Sequence, residues 1–230
     1  EYTEEMINAA LRSEDPLQIV PSVDTDGHGT FVASAAAGGA EVGKRFLGAA
    51  PEASIAMVKL KPAKNYLKEF FAIAQDAVCY QENDIMLGLR YLNDLARKQG
   101  MPLVICVALG TSFGGHNGDS LLADILDIYA TVRNRCVVVG TGNEAARRHH
   151  YFNRFTDAQD MRTAEIRVGE GTQSFAVELW STLPNIVMVS VTSPSGERTG
   201  MIPIRLGYLF DFSFTFERTT ITVEYRLLQR

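Results

Sequence analysis

Up to about residue 150 the hydrophobic positions fall into two alternating rhythms. Residues 83–97 repeat apolar side chains at helical spacing, with Ile85, Met86, Leu89, Leu92 and Leu95 on one broad face. Residues 119–133 read as a second helix and residues 4–12 as a short one. Between them lie unbroken apolar runs at 103–109 and 136–139, as expected for strands buried on both faces. Residues 54–60 read as a further strand. A helix is expected over about 30–37, ended by Gly38-Gly39. Residues 17–20 are a brief apolar piece stopped by Pro21, and 61–82 show no clear period. The order strand, helix, strand, helix, strand implies right-handed crossovers and a parallel sheet with helices on both sides.

Beyond residue 151 helical spacing disappears. Short strand-like runs occupy 164–168, 174–180, 186–192, 210–216 and 219–228, separated by turn signals such as Gly169-Glu170-Gly171 and Pro194-Ser195-Gly196. This pattern predicts an antiparallel sandwich or part of one. The chain therefore divides into an α/β portion, residues 1–155, and a β-rich portion, residues 156–230.

Composition narrows the function. Net charge is −5, and no basic stripe points to nucleic acid. No apolar run approaches the roughly 20 residues of a membrane span. The opening Glu1-Tyr2-Thr3-Glu4-Glu5 is acidic and does not read as a signal peptide. The cysteines, Cys79, Cys106 and Cys136, lack a paired spacing; Cys106 and Cys136 fall in the apolar runs and read as core thiols.

Chemistry gathers at two places. The first is Asp26-Gly27-His28-Gly29-Thr30-Phe31-Val32-Ala33, a histidine between glycines at the head of a small-residue helix. Flanking glycines leave the imidazole uncovered and allow another backbone to pass close by, which suits a general base. The plain alternative is a helix-opening histidine. The second is Val139-Gly140-Thr141-Gly142-Asn143-Glu144, directly after a predicted strand. A side-chain amide at the carboxyl end of a parallel strand sits where such folds build active sites and could donate to an oxyanion. The plain alternative is a turn asparagine.

The first stretch resembles the histidine motif of the subtilases, the subtilisin-like serine proteases, with Phe31 where many members carry a second histidine. The second resembles their asparagine motif. Residues 104–110 resemble the family's substrate-binding strand, and Phe46-Leu47-Gly48-Ala49-Ala50-Pro51 the segment that leaves the histidine helix. The pieces occur in the family's order. The resemblance implies a subtilisin-like core in which His28 is general base and Asn143 lines the oxyanion hole. Ala108, Leu109 and Gly110 would pair with an extended peptide, and Gly140, Thr141 and Gly142 would form the opposite pocket wall.

The family's aspartate and serine motifs have no counterpart here. Asp24 and Asp26 lie too close to His28 on one loop, and Asp15 lacks a preceding strand. Ser112 precedes Asn143 and runs into Phe113-Gly114-Gly115, so it reads as a loop serine. The expectation is a partial chain, inactive alone, from a serine endopeptidase acting on peptide or protein substrates, with the chain associating with the missing parts of the protease domain. The layout resembles the bacterial spore-germination (Csp) type, whose protease domain carries an inserted jelly roll, and favours a bacterial cytoplasm or spore location. A pseudoprotease or regulatory module is the alternative. No cofactor is expected, although a calcium site sharing Asp24 or Asp26 stays open. His149-His150 and His116 read as solvated loop residues, and Asp119 and Ser120 as caps of the helix that follows.

Overall fold

The computed structural model describes residues 1–39 and 46–227. The end of the expected 219–228 run, Leu228, lies outside the described residues. The chain separates into two compact units, Glu1–Ser112 with Ser120–Ala176, and Phe113–Asp119 with Val177–Arg230.

The first unit begins with α1 (Glu4–Arg12), whose N-cap Thr3 accepts the Met6 amide, and one helical turn, α2 (Pro16–Ile19). Helix α3 (His28–Ala37) starts at the histidine itself, earlier than expected from the sequence. A short α4 (Asn65–Phe70) occupies the stretch without a period. Helix α5 (Glu82–Gln99) carries Glu82 and Asp84 in its first turn and Arg97 and Lys98 in its last, matching its dipole. Strand β1 (Leu103–Val107) follows, then α6 (Leu121–Thr131) and β2 (Arg135–Val139). Ser120 is the N-cap of α6, its side chain accepting the Ala123 amide, and the Asp119 carboxylate accepts from Asn117.

Strands β1 and β2 pair in parallel, with Leu103 opposite Arg135 and Val107 opposite Val139. Their core is one-sided. Leu89, Ile105 and Val107 are buried, and Ile85 from α5, Ile125 and Leu126 from α6 and Val137 pack against them. Both helices thus cover the same face, and Glu82 of α5 accepts the Leu122 amide at 3.2 Å, tying their ends together. The expected second layer of helices is not found among the described residues. Val104 and Val138 are 67% and 50% exposed, and Cys106 and Cys136 beside them are exposed rather than core thiols. An unbroken apolar run announces two apolar faces, but covering the second needs further polypeptide.

Residues 54–60 run extended without ladder partners among the described residues. They lie along α5 instead: a Cβ on Gly88 would meet Val58 Cγ1 at 3.0 Å, and Lys61 pairs with Asp84 at 3.4 Å.

The second unit holds an antiparallel hairpin, β3 (Leu209–Phe214) with β4 (Thr219–Glu224), in a register that sets Phe214 opposite Thr219. Ile202, fully buried, and Phe214 are its core. The 186–192 run makes hydrogen bonds without a regular strand: Val189 O accepts the Ile202 amide, Val191 O accepts the Thr199 amide, and Tyr225 Oη accepts the Val189 amide while donating to Ile202 O. The runs 164–168 and 174–180 form no strand. Alternation shows which side chains fit a pleated face, but a strand exists only where a partner completes its ladder. The molecule is therefore mixed α/β, a partial parallel-sheet core followed by an antiparallel β module; a complete sandwich is not seen among the described residues.

Candidate active site

The site starts from Asp24. Its Oδ1 accepts the amides of Asp26 (3.2 Å) and Gly27 (2.8 Å), and its Oδ2 accepts the amide (2.9 Å) and hydroxyl (2.7 Å) of Thr30. Together these bonds satisfy donors that a helix start leaves open. They explain why α3 begins at His28. They also hold the Asp24 carboxyl far below the ordinary carboxylate range, first through the Gly27 amide and then through the Thr30 hydroxyl and amide.

Gly27 adopts φ 87°, a left-handed conformation that glycine takes without strain. No other backbone passes at the flanking glycines: a Cβ on Gly27 would meet nothing within 4 Å among the described residues, and one on Gly29 only Asp24 Oδ2 at 3.6 Å. The close passage expected there occurs at the other end of α3. A Cβ on Gly48 would lie 2.4 Å from the Gly38 nitrogen and 2.8 Å from that of Ala37. The amides of Gly48, Ala49 and Ala50 donate to the carbonyls of Gly38, Ala35 and Ala36. The small residues of α3 thus receive a backbone segment rather than a sheet.

His28 is exposed, and its ring Nε2 lies 3.0 Å from the Ala108 carbonyl oxygen. A carbonyl only accepts, so this hydrogen bond requires the proton on Nε2. The contact joins two motifs far apart in sequence. Ala108 directly follows β1, and Gly140 directly follows β2, at the carboxyl end of the parallel pair. The Gly140 amide donates to Val107 O at 3.1 Å, extending the pairing past the strand ends. Ala108 and Gly140 therefore leave the sheet side by side, each heading its own segment, 108–110 and 140–142.

Asn143 is exposed in a bend after Gly142, whose φ is 80°. The turn behind it is built on Glu144: its carbonyl accepts the Arg147 amide at 2.8 Å, and its carboxylate meets His149 Nδ1 at 3.0 Å. His149 and His150 are exposed, as is His116. Among the described residues no three His, Cys, Asp or Glu side chains converge as metal ligands. No described helix is long and apolar enough to cross a membrane.

Sequence reasoning missed the cage around Asp24 and the Ala108 contact to His28. A signal for the first existed: an Asp a few residues ahead of a helix start, here three before Gly27, is a common acceptor for the turn and helix-start amides that follow it.

A helix-borne histidine is thus set against the carboxyl end of β1, which pairs in parallel with β2. A model of the subtilase family matches residues 5–199, and the chain belongs to that family. A solved structure of the Clostridium perfringens CspB protease is 30% identical to it, with a TM-score of 0.77. The match covers 97% of this chain and 44% of that one, so the chain spans less than half of the neighbour's length. No curated protein matches it.

Proposed function

We propose that this chain supplies the general base and oxyanion donor of a subtilisin-like serine endopeptidase. The observation that carries the reading is the 3.0 Å approach of His28 Nε2 to the Ala108 carbonyl, which sets the histidine motif against the substrate-strand motif. In the working site a serine from outside this chain attacks the scissile carbonyl. His28 Nε2 takes the serine proton and then gives it to the leaving amine. For that, the Nε2 lone pair must be free and the ring proton must sit on Nδ1, where a triad aspartate, also from outside this chain, would accept it. The Asn143 side-chain amide donates to the tetrahedral oxyanion. The peptide lies extended along Ala108, Leu109 and Gly110, with Gly140, Thr141 and Gly142 as the facing wall.

Peptide and protein substrates follow from this reading. On this reading the nucleophile lies outside the chain, and the 230 residues alone are expected to be inactive. Its uncovered sheet face, with Val104 and Val138, fits association with the rest of a protease domain. Calcium at Asp24 is disfavoured, because all four acceptor positions of that carboxylate face donors.

The test is fluorophosphonate labelling of the complete protein. Stoichiometric labelling of one serine, abolished by His28→Ala, is expected. Labelling at an undiminished rate in that variant, or no labelling of the wild type, overturns the reading. The second outcome would favour a pseudoprotease.

A further inference from the structure

We propose that Asp24 is the positioning residue of the His28 base, its carboxylate caging the first turn of α3 and so fixing where the imidazole leaves the backbone. The inference rests on the reading of His28 as general base.

The argument begins with saturation. A carboxylate offers about four lone-pair directions. Here each is matched to a donor, with the Asp26 and Gly27 amides on Oδ1 and the Thr30 amide and hydroxyl on Oδ2. Asp24 is therefore unable to orient the His28 ring directly or to serve as a proton acceptor without breaking this cage. Its contacts instead bracket His28, holding the peptide before it and the residue after Gly29. A Cβ on Gly29 would sit at ordinary contact distance from Oδ2, 3.6 Å, so the cage does not depend on glycine there. In this structure the ring also meets Ala108 O through Nε2. That contact must open when Nε2 accepts the serine proton, which leaves the Asp24 loop to fix where the imidazole leaves the backbone.

The geometry also requires a carboxylate. Oδ2 faces the Thr30 amide, which only donates. An asparagine could reproduce Oδ1 with its carbonyl, but its NH2 group would then point at that amide. Asp24→Asn is therefore expected to keep the turn at Asp26 and Gly27 and to release Thr30. A general base displaced by about 1 Å can lose on the order of 100-fold in rate.

The experiment uses the complete protease and separates rate from extent of fluorophosphonate labelling. Extent counts folded sites, and rate reports the base. Asp24→Asn is expected to label to full extent at a rate about 10–100-fold lower, with kcat falling and KM little changed. Thr30→Ser, which keeps the hydroxyl, should label like the wild type, and Thr30→Ala should fall between. A wild-type rate in Asp24→Asn overturns the proposal. So does a loss of extent with an unchanged rate per labelled site, which would mean a structural role alone. If Asp24→Asn fails to fold, the threonine pair decides: equal rates for Thr30→Ala and Thr30→Ser overturn the proposal. Undiminished labelling in His28→Ala sinks the general-base reading itself, whatever Asp24 does.

Discussion

At the scale of single residues, the proposed site pairs two exposed groups, His28 and Asn143, with two that organise loops, Asp24 and Glu144. If Asn143 donates to the oxyanion, its amide matters most when charge develops on the substrate oxygen. In the complete enzyme Asn143→Ala is expected to lower kcat about 100- to 1,000-fold with KM changed only a few-fold. Steady-state kinetics on a peptide amide check this. A rise in KM at constant kcat would make Asn143 a binding residue instead. His28 and Asn143 stand out in the sequence because glycine and small residues around a lone polar group form a local pattern. Asp24 does not, since sequence gives a carboxylate no direction. Its oxygens face its own loop, accepting from Asp26, Gly27 and Thr30. Cys106 and Cys136 were misplaced for a related reason: an apolar neighbourhood does not say which face of the strand is covered.

Elements follow their patterns where the pattern is completed within the chain. Helices α5 and α6 and strands β1 and β2 were all foreseen because their apolar positions meet in one cluster around Ile105. The 54–60 run and the 164–168 and 174–180 runs were read as strands and are extended without ladders. Their side chains suit a sheet, but their partners are not among the described residues. Helix α3 shows the opposite case, an element with no buried residue that is held through its backbone. Three amides from Gly48, Ala49 and Ala50 dock on its last carbonyls. The approach tolerates no side chain at Gly48, because the atoms met first are backbone nitrogens of Gly38 and Ala37. Gly48→Ala is expected to destabilise by about 1–3 kcal/mol or more, as for an overpacked core. Gly39→Ala, where a Cβ meets nothing within 4 Å among the described residues, should stay within about 0.5 kcal/mol. Urea denaturation of both variants checks the contrast; equal midpoints would mean that residues 48–50 do not hold the end of α3.

For the molecule as a whole, the exposed sheet face matters most. Leu89, Ile105 and Val107 form a buried cluster on one side of β1 and β2, while the other side presents Val104, Cys106, Cys136 and Val138 to solvent. Burying apolar area is worth roughly 25 cal/mol per Å², so a face of branched aliphatics and thiols favours being covered. The proposed reading assigns that cover to polypeptide outside these 230 residues; the match to the CspB protease spans 44% of that chain. The two thiols report on this directly. In the isolated 230-residue chain with Cys79→Ser, which removes the half-buried third thiol, Cys106 and Cys136 should react with an aromatic disulfide reagent like free cysteines. In the complete protease carrying the same change, both should become slow, since a thiol inside packed structure reacts only when that structure opens. Equal reactivity in the two proteins would mean that the face stays open in the complete protein, and that the remaining polypeptide does not complete a protease core on this sheet.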